Sequence, residues 1–177
     1  MAVFKSRAYI GGVPFRPVSE EPFSVTASVL IPAGTSLASA DLIKFFTLGA
    51  NVRILEVTLA TDDLDSNGSP AVTLDLGYDL ASGTDDDDAF LANSTIGQAG
   101  GTVRVENGGD DAFAVGLLAE QTVNMTIQAK VETAPATNPS TDRYLTCTVR
   151  AQKRTNGVTD TPYIYADRYT AAGVSST

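Results

Sequence analysis

Apolar and polar residues alternate with a period of two along most of this chain, and hardly any stretch keeps the 3.6-residue period of an amphipathic helix. In PFSVTASVLIPAG, Phe23, Val25, Ala27 and Val29 share one face, and Pro32-Ala33-Gly34 ends the run. VRILEVTLA places Ile54, Val57 and Leu59 on one side, and AVTLDLGYD does the same with Val72, Leu74, Leu76 and Tyr78. The alternation breaks at Leu55-Glu56, where an extra residue in one strand would mark a bulge. DLIKFFTL, closed by Gly49-Ala50-Asn51, reads as a strand; a short helix capped by Ser39 is the alternative, because Leu42, Phe45 and Phe46 also fit helical spacing. TVNMTIQAKVE and RYLTCTVRAQKR are two further strands, joined by the loop TAPATNPSTD with its two prolines. A helical turn is expected at Ala89 to Ala92, after an acidic loop ASGTDDDD.

About eight to ten such segments separated by turns specify an all-β fold, an antiparallel two-sheet sandwich of jelly-roll type. The 177 residues suffice for one core, placed in residues 23–154. Residues 1–22 and 155–177 have weak periodicity and read as extended N- and C-terminal arms. The opening MAVFKSRAYIGGV lacks the apolar stretch of a signal peptide, and the apolar run Phe113 to Ala119 is too short to span a bilayer, so a cytosol-made, soluble chain is expected.

The segment TDDLDSNGSP raises two possibilities. Asn67-Gly68 between two strand-like runs predicts a type I′ hairpin turn, since both residues tolerate positive φ. The same segment places Asp63, Asp65 and Asn67 at positions 1, 3 and 5 of a calcium loop, with Gly68 at position 6. Position 12 is Leu74, so the closing bidentate carboxylate is missing, and the flanks are strands rather than helices. Asp62 or Asp75 would complete only a different geometry. A solvated turn exposing its acids is the favoured reading. Asp85 to Asp88 are likewise read as a solvated run rather than an ion site.

Catalytic chemistry finds little footing. The chain has no histidine and one cysteine, Cys147, which excludes a His/Cys zinc set and an internal disulfide. No GxSxG, GxxxxGK[ST] or HExxH pattern occurs, and the acids sit in turn-like stretches where nothing would raise a pKa. Neither an enzyme nor a cofactor is expected. Cys147 lies in an alternating strand and reads as a small hydrophobe. Tyr163, Tyr165 and Tyr169 form either a platform for sugar or partner protein, or a last strand packed on its own domain.

The net charge of −9 is unevenly spread. Residues 61–120 hold 13 of the 21 acids and one base, Arg104, which makes that segment −12 and the remainder +3. An acidic surface repels phosphate backbones, so nucleic acid is not an expected partner. The bases cluster at the ends, where Lys5, Arg7, Arg16, Arg154 and Arg168 are candidates for docking on another protein.

LIKFFTLGANVRILEVTLATDDLDSNGSPAVTLDLGYD, followed by DAFLANSTIGQAGG, resembles a group of small structural proteins of tailed bacteriophages. The resemblance lies in the strand VRILEVTL, the DDLD turn, the strand TLDLG and the DAFL segment before a glycine-rich stretch, and it covers about residues 41–106. It implies a virion component made in the host cytoplasm, namely a decoration or cement protein with a β-sandwich body on the capsid exterior. Its partner would be the major capsid protein, with no membrane involved, and its unit a homo-oligomer, trimer or dimer. No catalytic residue carries over, and the arms match no motif. A tail or head-fibre module that binds a host-surface glycan would use the same sandwich, and a polysaccharide hydrolase is the third class.

Overall fold

The computed structural model describes residues 1–11, 13–15, 21–106 and 123–153. These contain strands β1 (Val3–Lys5), β2 (Pro22–Ile31), β3 (Leu42–Leu48), β4 (Val52–Thr61), β5 (Thr73–Leu80), β6 (Asp86–Ser94), β7 (Gly101–Glu106), β8 (Met125–Thr133) and β9 (Arg143–Lys153). A one-turn helix, α1 (Arg7–Ile10), and a 3-10 turn at Ile96–Gln98 are the helical elements among them. The strands form a sandwich of a five-stranded sheet, β1-β3-β8-β5-β6, and a four-stranded sheet, β2-β9-β4-β7. All pairings between these strands are antiparallel except that of β1 with β3. Among the described strands, only β5 and β6 are consecutive within one sheet. Every other pair of successive described strands lies in opposite sheets, an arrangement compatible with a jelly roll.

Period-two alternation does what the sequence implies. Ile54, Val57 and Leu59 of β4, and Leu145, Cys147 and Val149 of β9, all point inward and are buried. Burial pushes the Cys147 thiol pKa well up, so the residue behaves as a small hydrophobe. The break at Leu55-Glu56 is a bulge: Ile54 pairs with Ala151 and Glu56 with Arg150, which leaves Leu55 as the extra residue.

DLIKFFTL is a strand, and a second bulge explains its helix-like spacing. The β3–β8 register shifts between Lys44 and Phe46, so Phe45 and Phe46 are both buried. A bulged residue is left out of the ladder; the Ser6 hydroxyl donates to the Phe45 carbonyl. Ser6 also caps α1, its Oγ accepting from the Tyr9 amide at 3.0 Å. Ser39 caps no helix and instead donates to the Glu132 carbonyl at 2.8 Å.

Three local expectations are corrected. Ala89 to Ala92 are part of β6, not a helical turn. The acidic run is not all loop, since Asp86 to Asp88 also belong to β6. Asn67-Gly68 is no hairpin turn, because β4 pairs with β7 and β9 whereas β5 pairs with β6 and β8 in the other sheet. Neither residue takes positive φ; among the described non-glycine residues only Ala40, Asn51 and Asn93 do. The dipeptide marked a chain reversal correctly, but turn chemistry is local and carries no information on which strand becomes the partner.

Within the N-terminal segment, Val3–Lys5 pairs in parallel with Leu42–Lys44. Farther along, the Phe15 amide donates to the Thr47 carbonyl at 2.7 Å, and the Gly49 amide donates to the Phe15 carbonyl at 2.9 Å.

Candidate docking surface

The loop between β4 and β5 is built around Asp65, which is 1% exposed. Its Oδ2 accepts from the amides of Ala71 (2.7 Å), Val72 (3.3 Å) and Ala136 (2.8 Å). Its Oδ1 accepts from those of Asn67 (3.3 Å) and Thr137 (2.9 Å). Burial alone would raise the carboxyl pKa, but the amides of Ala71, Ala136, Thr137 and Asn67 outweigh it and hold it down at about 2. The expected solvated tip is therefore a buried carboxylate clamp that ties the β4–β5 loop to the β8–β9 loop.

The other two calcium candidates are engaged in the same way. Asp63 Oδ1 accepts from the Asp65 amide at 2.9 Å, and Asn67 Oδ1 from the Ser69 amide at 2.8 Å. Asn67 Nδ2 donates to Thr137 Oγ1 at 3.0 Å. Asp62 Oδ2 accepts from the Tyr144 amide at 2.8 Å, and Asp75 Oδ1 from the Asn93 amide at 2.7 Å. Each of these carboxylates serves a backbone amide of its own domain. Among the described residues, no group of three His, Cys, Asp or Glu side chains is arranged to hold a metal ion. The melting midpoint is expected to be the same in calcium and in chelator; a rise of several degrees in calcium alone would restore the ion reading.

Among the described residues, the exposed apolar side chains gather in the N-terminal segment. Among the described residues the exposed large hydrophobics are Met1, Val3, Ile10, Val13, Phe15, Leu30 and Tyr144. Five of these seven fall within residues 1–15, with Ile10 68% and Val13 79% exposed, so the apolar exposure is concentrated rather than scattered. Residues 1–15 include no acid. Lys5 on β1 and Arg7 at the start of α1 are exposed beside this patch, and Lys5 Nζ lies 5.3 Å from the centre of the Tyr9 ring. Leu30 and Tyr144, the other two, are direct cross-strand partners on β2 and β9.

Of the five basic docking candidates the structure thus describes Lys5 and Arg7; Arg16, Arg154 and Arg168 lie outside the described residues, as do Tyr163, Tyr165 and Tyr169. Sequence reasoning picked out the bases but missed Ile10, Val13 and Phe15. Their only signal was a set of apolar side chains in a segment without periodicity or acids.

No protein-family model and no curated protein matches the sequence. Two solved structures are similar to it. A chain titled "Capsid of Ralstonia phage GP4" is 26% identical with a TM-score of 0.68, over 88% of this chain and 100% of that chain. A second, titled "Cyanophage Pam1 capsid asymmetric unit", is 21% identical with a TM-score of 0.57, over 80% of this chain and 91% of that chain, and shares the fold. Both neighbours come from phage capsids, and the likeness to the first supports a structural rather than catalytic role, in a phage virion.

Proposed function

We propose that the protein is a decoration or cement protein that binds the outside of a tailed-phage capsid and stabilises contacts between shell subunits. The observation that carries this reading is the likeness to the Ralstonia phage GP4 chain, whose whole length this fold accounts for. The match runs over 100% of that chain and 88% of this one, so the likeness is to the sandwich as a whole rather than to a part of it. The N-terminal patch supports it: Ile10, Val13 and Phe15 supply apolar area, and Lys5 and Arg7 supply charge for an acidic rim on the major capsid protein. Arg16, Arg154 and Arg168 extend the basic set. Single docking contacts of this size are weak, and a trimer or dimer multiplies them by avidity.

The test is to mix the purified protein with shells that lack it and to image the particles by electron cryo-microscopy. Regular density at symmetry positions is expected; bare shells would move the assignment to a tail or head-fibre module, with glycan binding measured next. Deleting the N-terminal segment is a poor probe, because Val3–Lys5 is a strand and Ser6 is buried. Ile10→Asp with Val13→Asp is the better one. Occupancy should fall at least about tenfold, while the melting midpoint stays within about 2 °C, as expected of exposed positions. Unchanged occupancy would remove this patch from the interface.

A further inference from the structure

Asp75 on β5 is only 5% exposed, yet its surroundings are the opposite of those of Asp65. Asp65 collects five backbone amides, whereas the described residues give Asp75 one, the Asn93 amide at 2.7 Å. The rest of its neighbourhood is charged. Lys130 stands directly across the β5–β8 ladder from it. The register shift there makes Glu132 the extra residue of β8, and a bulge re-aims the side chain that it carries. Lys130 Nζ lies 3.2 Å from Glu132 Oε2 and 3.7 Å from Oδ2 of Asp87 on β6, so three carboxylates face one ammonium.

A hydrogen bond joins the Asp75 and Glu132 side chains. Ionised carboxylates only accept, so a contact of this kind requires a proton on one of the two. Burial and the like charge beside it both favour keeping that proton, because the ionised form is short of donors and repelled by its neighbour.

We propose that Asp75 and Glu132 form a proton-binding site, with one proton shared between their carboxyl groups, which fastens β6 to β5 and β8 and loosens as the pH rises. Asp75 holds β6 through the amide of Asn93, whose φ of +51° lies in the left-handed region where the β5–β6 register shifts. Asp87 holds the same strand a second time, accepting from Gln128 Nε2 at 2.8 Å. Burial, together with the charge and hydrogen bond of Glu132, raises the Asp75 carboxyl pKa above 3.8, while the Asn93 amide and Lys130 pull the other way. Asp75 thus departs from the expectation that nothing raises a carboxyl pKa in this chain, because it lies within a strand and not in a turn. The stabilisation is fully present below the unfolded value of 3.8 and is lost as pH rises through the raised folded value. This seam therefore opposes the Asp65 clamp, whose depressed carboxyl loses its contribution as pH falls.

Asp75→Asn tests the assignment, because asparagine keeps an acceptor for the Asn93 amide and a donor for Glu132 but has no proton to lose. The melting midpoint of the variant relative to wild type should be higher at pH 7.5 than at pH 4 by at least about 2 °C. A difference that stays constant, or that runs the other way, would overturn the proposal. In the wild-type chain, NMR should show the Asp75 carboxyl carbon titrating above 3.8, with the Asn93 amide shift following the same midpoint. Glu132→Gln, at a side chain 41% exposed, should lower that midpoint without unfolding the protein. A midpoint at or below 3.8, one unmoved by Glu132→Gln, or an Asn93 amide that ignores the titration would each overturn the shared proton.

Discussion

Replacing Asp65 by alanine is expected to lower the free energy of unfolding by about 4 kcal/mol, because buried amides lose their acceptor and each orphan costs about 1–3 kcal/mol before relaxation. Five amides from two loops converge on this carboxylate. Asp65→Asn separates charge from shape: it keeps the volume but turns an NH2 group toward amides that themselves donate, and should still lose about half of that amount. Denaturant titration checks both variants, with an unchanged slope showing that the native fold persists.

The same site gives a pH dependence of defined sign. The carboxyl pKa is depressed from 3.8 to about 2 in the folded protein. The folded state therefore binds the proton less readily than the unfolded chain. The resulting stabilisation, about 2 kcal/mol, is fully present above the unfolded pKa and is lost as pH falls from about 4 to about 2. Unfolding midpoints measured at pH 5 and at pH 2.5 should differ more in the wild type than in Asp65→Asn. Equal differences would mean that Asp65 is not the group responsible.

Gly77→Ala should be comparably damaging for a different reason. A Cβ at residue 77 would sit 2.0 Å from the Asp86 carbonyl oxygen and 2.6 Å from that of Asp87, backbone atoms that cannot step aside without moving β6. The β5–β6 register shifts between Leu76 and Tyr78, paired with Leu91 and Asp86, so β6 carries extra residues there and folds over Gly77. Asp87 thereby reaches β8, accepting from Gln128 Nε2 at 2.8 Å and lying 3.7 Å from Lys130 Nζ. Destabilisation of about 3 kcal/mol is expected, at the upper end for overpacking. Gly68→Ala is the control. No atom lies within 4 Å of its would-be Cβ and its φ is not positive, so a change of no more than about 0.5 kcal/mol should result. A type I′ turn at this position would instead make that substitution costly, so the pair of measurements also decides between the two turn geometries.

Much of the strand content was legible because one-sided burial imposes a period of two on each strand locally. Leu55 betrayed its bulge for the same reason. At β3 the signal failed: a bulge at Phe45 puts neighbouring phenylalanines inside, and two adjacent buried residues mimic a helical face. The proposed docking surface was half legible, since Lys5 and Arg7 stand out as bases in an acid-free segment, whereas exposed Ile10 and Val13 cannot be told from core residues before the fold is known.

By itself, then, the sequence determined the all-β class, the core faces of most strands and the absence of histidine and of a His/Cys zinc set, because side-chain period and residue inventory are local properties. Tertiary structure alone decided that β4 and β5 lie in opposite sheets, that Asp63, Asp65 and Asn67 accept backbone amides, and that only glycine fits at residue 77. Each of those outcomes depends on groups brought together from distant parts of the chain: Ala136 and Thr137 reach Asp65, and Tyr144 reaches Asp62. A carboxylate's role is set by the donors around it, and those donors are placed by strand pairing.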